Sequence, residues 1–310
     1  MASAQSESTS VFHFLNLPTS AHAMALGGMN VTIPDDDASL FFQNPALMPN
    51  ISDKSINLSF LTYLQGCKAG NVSWVMAQGE RGSWGVGAQF VGYGTMHGMS
   101  IEEVPTGDFS PLDMTICGGY AYTLTEHLSG GATGKFIYSK LGSYSSVALA
   151  VDLGLNYWND DINLYVSAVA ANLGGQVKAF GDHHERLPID LRLGITKQLA
   201  KAPLRLSVTL TDLTRWKSSS YYTAGEEISG GRIFTNHIIV GLDVVPSDLF
   251  YISAGYNFRR AYELKAAGSS HAAGLTLGAG LTLKKFSIGF TYAKYHVSMP
   301  AFMFSAQYHL

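Results

Sequence analysis

Strict alternation of apolar residues with small or polar residues is the feature that most constrains this chain. In Pro203–Asp212, PLRLSVTLTD, every second residue from Leu204 to Leu210 is aliphatic, and Val147–Trp158 and Ala273–Leu283 follow the same pattern. Successive side chains of a β-strand point to opposite faces of the sheet, whereas a helix repeats every ~3.6 residues. The pattern therefore predicts β-strands with two unlike faces.

Such segments follow one another from Ser55 to the end of the chain, with no long amphipathic helix between them. There are about fourteen of them, and at ~9–11 residues each they have the length that a tilted strand needs to cross a bilayer. The predicted strands begin near Ser55, Gly70, Ser83, Asp113, Leu128, Ser146, Ile162, Ile189, Leu204, His237, Phe250, Ala273, Phe286 and Ala301.

The connections between these segments alternate in length. Every second connection is tight, at residues 79–82, 125–127, 159–161, 200–203, 246–249 and 284–285. The intervening ones are usually longer, as at residues 94–112, 174–188, 214–236 and 259–271. Short turns at one end and long loops at the other are typical of bacterial outer-membrane barrels with an even number of strands.

The composition of the polar face separates a membrane barrel from a soluble β-sandwich. Charged residues make up 14% of the chain, against about 25% in an ordinary soluble domain. A polar face of Gly, Ala, Ser, Thr and Asn fits a filled lumen, and a closed barrel leaves no unpaired strand edge in lipid. We therefore predict an all-β fold, a transmembrane antiparallel β-barrel of about 14 strands. The predicted lumen charges are Lys135, Asp152, Asp190, Arg192, Arg205, Asp243 and Arg259.

Composition also excludes several classes of protein. No apolar run approaches the ~20 residues of a membrane-spanning helix. The net charge is −3 and blocks of Lys or Arg are absent, so nothing predicts nucleic-acid binding. Cys67 and Cys117 stand apart without metal-binding spacing; we interpret them as isolated thiols and leave a disulfide open.

The N-terminal region differs in sequence from the strand-forming region that follows it. Ala2-Ser3-Ala4 before Gln5 has the A-x-A form of a signal-peptidase site, so residues 1–4 are interpreted as a signal-peptide remnant. Residues 5–54 form an N-terminal segment with short helices, in which Thr19 or Ser20 and Asp37 are predicted helix caps. Residues 55–310 form the predicted barrel.

No catalytic or metal-binding constellation emerges from the sequence. Asp182-His183-His184-Glu185 contains ligand types for zinc, but a solvated loop fits better because adjacent residues rarely bind one ion together. Asp35-Asp36-Asp37 lacks the spacing of a calcium loop. Neither a nucleophile motif nor a nucleotide-binding loop occurs in a suitable context. We expect no enzymatic activity, no metal and no cofactor, with a bound lipid or detergent left open.

Two motifs near the N-terminus carry a resemblance to a known family. LNLPTSAHAMALGG (Leu15–Gly28) and DDDASLFFQNPALM (Asp35–Met48), followed by about fourteen strands, resemble the PorQ/PorV branch of the FadL-like outer-membrane proteins. The resemblance covers essentially the whole chain and is nearest to the PorQ-like members. His22 stands where the resemblance leads us to expect a basic residue.

This resemblance implies an N-terminal segment folded into the lumen of the barrel as a plug. The implied plug residues are Pro18, Gly27, Gly28, Asp35, Asp36, Asp37, Asn44 and Pro45. The aspartates are expected to pair with Arg192, Arg205 or Arg259, because buried charges need partners.

The resemblance also implies a function in the bacterial outer membrane. It implies a non-enzymatic component of the type IX protein secretion system that anchors a PorZ-like surface protein. The attachment complex would include PorU and PorV and would lie among outer-membrane lipid and lipopolysaccharide. The candidate partner-binding residues in the outer loops are Phe109, His183, His184, Trp216, Tyr221 and Tyr222. The alternative is a FadL-like channel for a hydrophobic small molecule; a membrane hydrolase lacks an identifiable nucleophile and base.

Overall fold

The computed structural model of the chain describes residues 10–63, 66–99, 105–181, 183–217, 228–247, 249–266, 272–295 and 299–310. The predicted signal-peptide remnant lies outside the described residues, and so do Asp182, Tyr221 and Tyr222. Within the described part, β-strands dominate and the helices are short.

Fourteen of the strands lie where the alternation predicts, but their lengths run from 7 to 16 residues, so several are longer than the predicted ~9–11 residues. The strands are β1 Ser55–Thr62, β2 Lys68–Gln78, β3 Gly82–Gly92, β4 Met96–Met99, β5 Pro105–Phe109, β6 Leu112–Thr125, β7 Leu128–Leu141, β8 Tyr144–Asn159, β9 Leu164–Lys178, β10 Asp190–Gln198, β11 Leu204–Leu210, β12 Ile238–Ser247, β13 Phe250–Asn257, β14 Leu275–Leu283, β15 Phe286–Ala293 and β16 Ala301–His309. Among the described residues, fourteen of these strands form one closed antiparallel barrel. Each of the fourteen begins within two residues of its predicted start, so the predicted fold class is confirmed.

The barrel closes where β16 pairs with β1, with Ser55 opposite His309 and Thr62 opposite Phe302. Neighbours along the chain pair throughout, except that β3 pairs with β6. Between them, β4 and β5 form a separate two-stranded hairpin in a connection that the sequence predicts as a loop. Closure leaves no strand edge in the membrane, which is the condition for a sheet to span hydrocarbon.

The two faces of each strand differ as the alternation predicts. In β8, Leu149, Leu153 and Leu155 are half exposed on the outside, whereas Asp152 and Asn156 are buried on the inside. The outer aliphatic face meets lipid, where it needs no polar partner. The inner face is small and polar and leaves room for a second layer of chain.

Two helices lie in the long connections at one end of the barrel. Helix α2 spans Gly230–Asn236 after β11, and α3 spans Phe258–Ala266 after β13, and the two pack together. The residue pattern does not predict these helices, because each has at most nine residues and lacks a long apolar stripe. Among the described residues, no helix is long and apolar enough to cross a membrane.

The N-terminal segment, residues 10–54, lies against the inner face of the barrel. It contains the α-helix Ala21–Ala25 and 3-10 helices at His13–Asn16, Ala38–Phe42 and Pro45–Asn50. The α-helix contacts β13 to β16, whereas Pro45–Asn50 contacts β3, β6, β7 and β8 across the lumen. Every residue from 18 to 33 and from 38 to 48 is buried.

Candidate functional site

The short helices of the N-terminal segment begin at polar caps. Ser20 Oγ accepts a hydrogen bond from the Ala23 amide at 3.3 Å, and Asp37 Oδ1 accepts one from the Ser39 amide at 2.9 Å. Asn44 Oδ1 accepts from the Ala46 amide at 2.9 Å. Free amides at a helix start need such acceptors. Asp37 therefore has a local structural role and is not free to bind an ion.

The chain leaves the α-helix through Gly27 and Gly28, whose φ angles are 100° and 101°. This left-handed region is costly for residues with a side chain. The space around the turn is also restricted: a Cβ on Gly255 of β13 would lie 2.1 Å from the backbone nitrogen of Gly27. Glycine on both sides lets the two backbones approach each other.

The Asn44-Pro45 motif meets the opposite side of the barrel in the same way. A Cβ on Gly131 of β7 would lie 2.6 Å from the Pro45 carbonyl carbon, and one on Gly154 of β8 would lie 2.2 Å from Asn44 Oδ1. Ser129 Oγ donates to the Ala46 carbonyl at 2.7 Å. The inner glycines of the strands are therefore contact positions for the N-terminal segment.

A buried charge cluster joins the N-terminal segment to the strands. His22 contacts Asp35 through Nδ1 and Asp243 through Nε2, the latter at 2.9 Å. Arg205 reaches the same two carboxylates, with Nη1 3.0 Å from Asp35 and Nε 2.8 Å from Asp243. The ring of Tyr251 stacks on the imidazole with 3.7 Å between centroids. We call His22, Asp35, Arg205 and Asp243 the His22 cluster.

The cluster sets the protonation of His22, which lies in the N-terminal segment and not in a spanning strand. Burial by itself lowers the pKa of His22, but the carboxylates of Asp35 and Asp243 outweigh burial and raise the pKa to about 9. Burial raises the pKa of Asp35, but His22 and Arg205 outweigh it and hold that pKa below its ordinary value. His22 is therefore protonated at neutral pH and acts as the basic residue that the resemblance led us to expect there.

The three consecutive aspartates have different partners. Asp35 pairs with Arg205, one of the three arginines proposed for it, whereas the structure gives Asp36 and Asp37 no arginine partner among the described residues. Asp36 accepts from the Ser52 amide at 2.8 Å, and Asp37 accepts from Asn57 Nδ2 at 2.9 Å. Pairing of all three with lumen arginines is therefore wrong, because two of them bind local amides and hydroxyls.

The other predicted lumen charges form two buried pairs. Lys135 Nζ lies 2.5 Å from Asp152, and Arg192 Nε lies 2.5 Å from Asp190. Asn172 joins the first pair. Its side-chain oxygen accepts a hydrogen bond from Lys135 at 3.0 Å, and its backbone N–H donates one to Asp152 at 2.7 Å. It stands in a register irregularity between β8 and β9, with φ of 59°.

Arg259 is a correction to the predicted lumen set. Strand β13 ends at Asn257 and the chain turns into α3, which places Arg259 at the loop end of the barrel, 28% exposed. It pairs there with Asp212 and with Glu263, the latter at 2.7 Å. The alternation does not show this turn, because the helix begins directly after the strand.

A cavity of about 440 Å³ remains at the short-turn end of the barrel, beside the His22 cluster. Its lining includes Asp35, Asp36, Asp37, Arg205 and Gln307. Polar and charged groups therefore surround much of the remaining space at this end of the lumen.

The predicted partner-binding residues lie at the opposite end. His183 and His184 are exposed, and Phe109, on β5, is partly exposed and lies near Gly142. Trp216 is 50% exposed, donates its indole nitrogen to the Leu213 carbonyl at 2.7 Å and packs on His237. Tyr221 and Tyr222 lie outside the described residues.

The described residues offer no group of three or more His, Cys, Asp or Glu side chains that could hold a metal ion. The Asp182–Glu185 cluster is described only in part, since Asp182 lies outside the described residues. Cys67 and Cys117 are both buried and free. The disulfide left open by the sequence is therefore absent between these two described cysteines.

The fold is similar to that of outer-membrane channels of known structure. The monoaromatic hydrocarbon channel CymD matches with a TM-score of 0.59 at 12% identity, over 97% of this chain and 99% of that one. The Pseudomonas putida toluene transporter TodX gives 0.57 at 12% identity, over 94% and 98%. A Pseudomonas aeruginosa FadL homologue gives 0.52 at 14% identity, over 94% and 98%. No family model and no curated protein matches the chain.

The protein is thus an outer-membrane β-barrel that crosses the membrane with fourteen described strands. Its particular fold is FadL-like, as the sequence resemblance implied at that level. At identities of 11–14% to the FadL-type neighbours, the similarity establishes a common fold. The activity has to be inferred from the residues of this chain. Those neighbours are named as channels and transporters.

Proposed function

We propose that this protein is a non-enzymatic outer-membrane component of a type IX secretion system. In this proposal it anchors an attachment complex by binding a PorZ-like surface protein through its outer loops, next to PorU and PorV. The observation that carries the proposal is the N-terminal motif pair, in which residues 18–28 and 38–48 are buried inside the barrel. His22 supplies the basic charge that the motif calls for in the PorQ-like members.

The interior supports a scaffold more than a conduit. Pro45–Asn50 and the α-helix Ala21–Ala25 contact opposite sides of the wall, and the His22 cluster ties the segment to β11 and β12. Breaking a buried ion pair costs about 3–5 kcal/mol. A segment held in this way gives the barrel a rigid interior, and rigid barrels present their loops in fixed positions.

The second candidate is a channel for a hydrophobic small molecule, and the comparisons favour it more directly than the secretion role. CymD is named as a monoaromatic hydrocarbon channel and TodX as a toluene transporter. The comparisons name no protein of a secretion system. Apolar substrates need an apolar path, whereas the described lumen carries the His22 cluster and two further ion pairs. The interior chemistry therefore supports the first candidate.

Affinity capture from native outer membranes distinguishes the two candidates. The full chain with an affinity tag is expected to recover a PorZ-like protein, and the double variant His183→Ala/His184→Ala or Trp216→Ala is expected to weaken the recovery. Leu153→Ala, on the lipid face, serves as the control for expression and insertion. Recovery of no secretion component would refute the anchor.

Uptake of toluene into liposomes tests the second candidate function, the channel. The anchor predicts the same uptake as for empty liposomes, while purified TodX serves as the positive control. Uptake that depends on the protein, together with a hydrophobic ligand in native mass spectra, would establish the channel.

A further inference from the structure

A second cavity, of about 180 Å³, opens at the loop end of the barrel between α2, α3 and the N-terminal segment. We call it the outer cavity. None of the residues of the His22 cluster lines it, and neither candidate function assigns it a role. Sites for drug-sized ligands measure about 300–1,000 Å³, so the outer cavity suits a smaller molecule.

The charges around the outer cavity balance one another. Its lining contains three carboxylates and two guanidinium groups, those of Asp190, Asp212, Glu263, Arg259 and Arg260. Arg192, outside the lining, pairs with Asp190 at 2.5 Å. Asp212 and Glu263 share one arginine, Arg259. Arg260 therefore offsets the carboxylate charge that remains, and the site has no net charge to attract an ion of either sign.

One further arginine stands behind this set. Arg215 does not line the cavity, and its Nε lies 4.0 Å from Asp212, at the limit of an ion pair. Its side chain is partly exposed, so solvent and salt screen its charge.

Asn236, the last residue of α2, lines the outer cavity with an amide that has no partner. The residue is 2% exposed, and neither Nδ2 nor Oδ1 makes a hydrogen bond among the described residues. A buried polar group without a partner destabilises the folded state, and native proteins keep few of them. This amide offers a donor and an acceptor side by side, which indicates a ligand that can both accept and donate.

Arg260, on α3, adds a second buried donor. Its Nη1 makes no hydrogen bond among the described residues, and its guanidinium lies over the ring of Tyr295, 3.6 Å from the centroid. A Cβ on Gly28 would lie 2.7 Å from Nη1, so the glycine turn of the N-terminal segment leaves the room that the guanidinium occupies. The ring fixes this donor before a ligand arrives, which lowers the entropic cost of binding.

The lining also has an apolar side. Met29 of the N-terminal segment and Ile239 of β12 line the same cavity, and both are buried. A ligand that fills the cavity therefore meets apolar side chains on one side and amides and charged groups on the other. Small-molecule sites commonly combine apolar walls with a few polar groups that fix the orientation of the ligand.

We propose that the outer cavity binds a neutral sugar. Each hydroxyl group both donates and accepts hydrogen bonds, so one sugar satisfies Nδ2 and Oδ1 of Asn236 and accepts from Arg260. The C–H groups of the sugar ring supply the apolar face for Met29 and Ile239. An uncharged ligand keeps the charge balance of the site, whereas an added charge would be buried without a partner. The sugar is either a free solute outside the cell or part of the saccharide chain of the surrounding lipopolysaccharide.

Binding of a free sugar is tested on the full chain in phosphatidylcholine nanodiscs by titration with saturation-transfer NMR. The probes are glucose, galactose, mannose and N-acetylglucosamine. Glucuronate and glucosamine, which carry a negative and a positive charge on a similar ring, are the matched controls. We expect saturable binding of at least one neutral sugar and at least tenfold weaker binding of both controls. Equal or tighter binding of a charged control overturns the proposal.

An attached sugar is tested in nanodiscs that contain lipopolysaccharide from native outer membranes, with nanodiscs that contain lipid A as the control. A rise in melting temperature with complete lipopolysaccharide alone, absent in Asn236→Leu, assigns the saccharide chain as the source. If no free sugar binds and the melting temperature does not rise, the cavity holds only water and the proposal is refuted.

Two variants separate binding from folding. Asn236→Leu is expected to weaken sugar binding at least tenfold and, because it removes a buried amide without partners, to raise the melting temperature of the ligand-free protein. Arg260→Gln is expected to weaken sugar binding as well. The matched control is Arg232→Gln, an arginine of α2 over the ring of Tyr262, which leaves the affinity within about twofold. Unchanged affinity in Asn236→Leu contradicts the site.

Glu263→Gln tests the charge balance directly. The variant removes one carboxylate from the lining and leaves a positive charge uncompensated. We expect it to bind glucuronate at least threefold more tightly than the wild type does, while its affinity for the neutral sugar stays within about twofold. Unchanged glucuronate binding would contradict selection of neutral sugars by balanced charge.

Discussion

At the residue scale, the surroundings of His22 show how a histidine can carry a positive charge at a position where a permanent cation is expected. Asp35 and Asp243 flank both ring nitrogens, and Arg205 neutralises the remaining charge of the two carboxylates. The four groups carry no net charge when the imidazole is protonated. A buried cluster of balanced charge avoids the penalty of an isolated buried ion.

Because the pKa of His22 is raised to about 9 from 6.5, the protonated form stabilises the folded segment. This contribution is complete below about pH 6.5 and is lost as the pH rises through about 9. A shift of this size is worth on the order of 3 kcal/mol. Hydrogen exchange of residues 18–30 is expected to speed up between pH 7 and 10 in the wild type. In His22→Gln the exchange, corrected for intrinsic chemistry, should be independent of pH over that range; equal pH profiles would contradict the role of His22.

Arg205→Met removes the second cation of the cluster and leaves Asp35 and Asp243 with only His22 between them. We expect a loss of about 3–5 kcal/mol in the free energy of unfolding, as for other broken buried ion pairs. The measurement is the urea midpoint in detergent. Lys54→Met is the control, because Lys54 and Asp53 form an exposed pair at 3.9 Å that is worth about 1 kcal/mol or less. Similar losses in both variants would show that burial of the pair is unimportant.

At the element scale, each strand encodes two contacts at once. In β7, Gly130, Ala132 and Gly134 face outward, while Ser129 and Gly131 meet the N-terminal segment. The register of the strand fixes which glycine is inward, and a slip by one residue would exchange the two faces. Glycines on the inner face of the strands therefore mark the positions where the N-terminal segment contacts the barrel wall.

Substitution of two glycines in β7 tests this. Gly131→Ala places a Cβ 2.6 Å from the backbone of Pro45, whereas Gly134→Ala meets no atom closer than 3.9 Å. We expect Gly131→Ala to lower the melting temperature and to make the segment around Pro45 sensitive to protease, since overpacking costs about 1–3 kcal/mol. Gly134→Ala should behave as the wild type. Protease resistance at Pro45 in both variants would contradict the close contact.

At the scale of the whole molecule, the barrel and its N-terminal segment depend on each other. The strands offer a small, polar inner face that needs filling, and the segment needs the wall because its helices have at most six residues each. Isolated helices of that length are unstable in water. The FadL-like fold is therefore completed by residues that precede the first strand.

A crosslink between the N-terminal segment and the barrel wall tests, at this scale, whether the segment stays in place during partner capture. A Cβ on Gly289 would lie 3.2 Å from the Cβ of Ala21, near the ~3.5–4.5 Å of a disulfide. In a Cys67→Ala/Cys117→Ala background, Ala21→Cys/Gly289→Cys is expected to oxidise and to retain capture of the PorZ-like partner. The reduced form is the control. Loss of capture on oxidation, restored by reduction, would mean that the segment moves during function.

The sequence predicts the strands well because their faces repeat over a long stretch of chain. It predicts a cap at Thr19 or Ser20 and one at Asp37, because a cap depends on the next two or three residues, and the structure selects Ser20 for the first. It does not predict that Asp35, and not Asp36, meets Arg205, since 170 residues separate the pair. Asn236 and Arg260 carry no local pattern, and only the packing of α2 on α3 brings them to one cavity.

The sequence by itself determined the strand number, the membrane-facing side of each strand and the division at Ser55. These follow from a period of two, which acts through neighbours a few residues apart. Tertiary structure alone decided which charges pair, that Arg259 leaves the lumen, and that a cavity remains at each end of the described barrel. The physical reason is that barrel closure brings together residues hundreds of positions apart, and their distances depend on register and packing, which alternation does not encode.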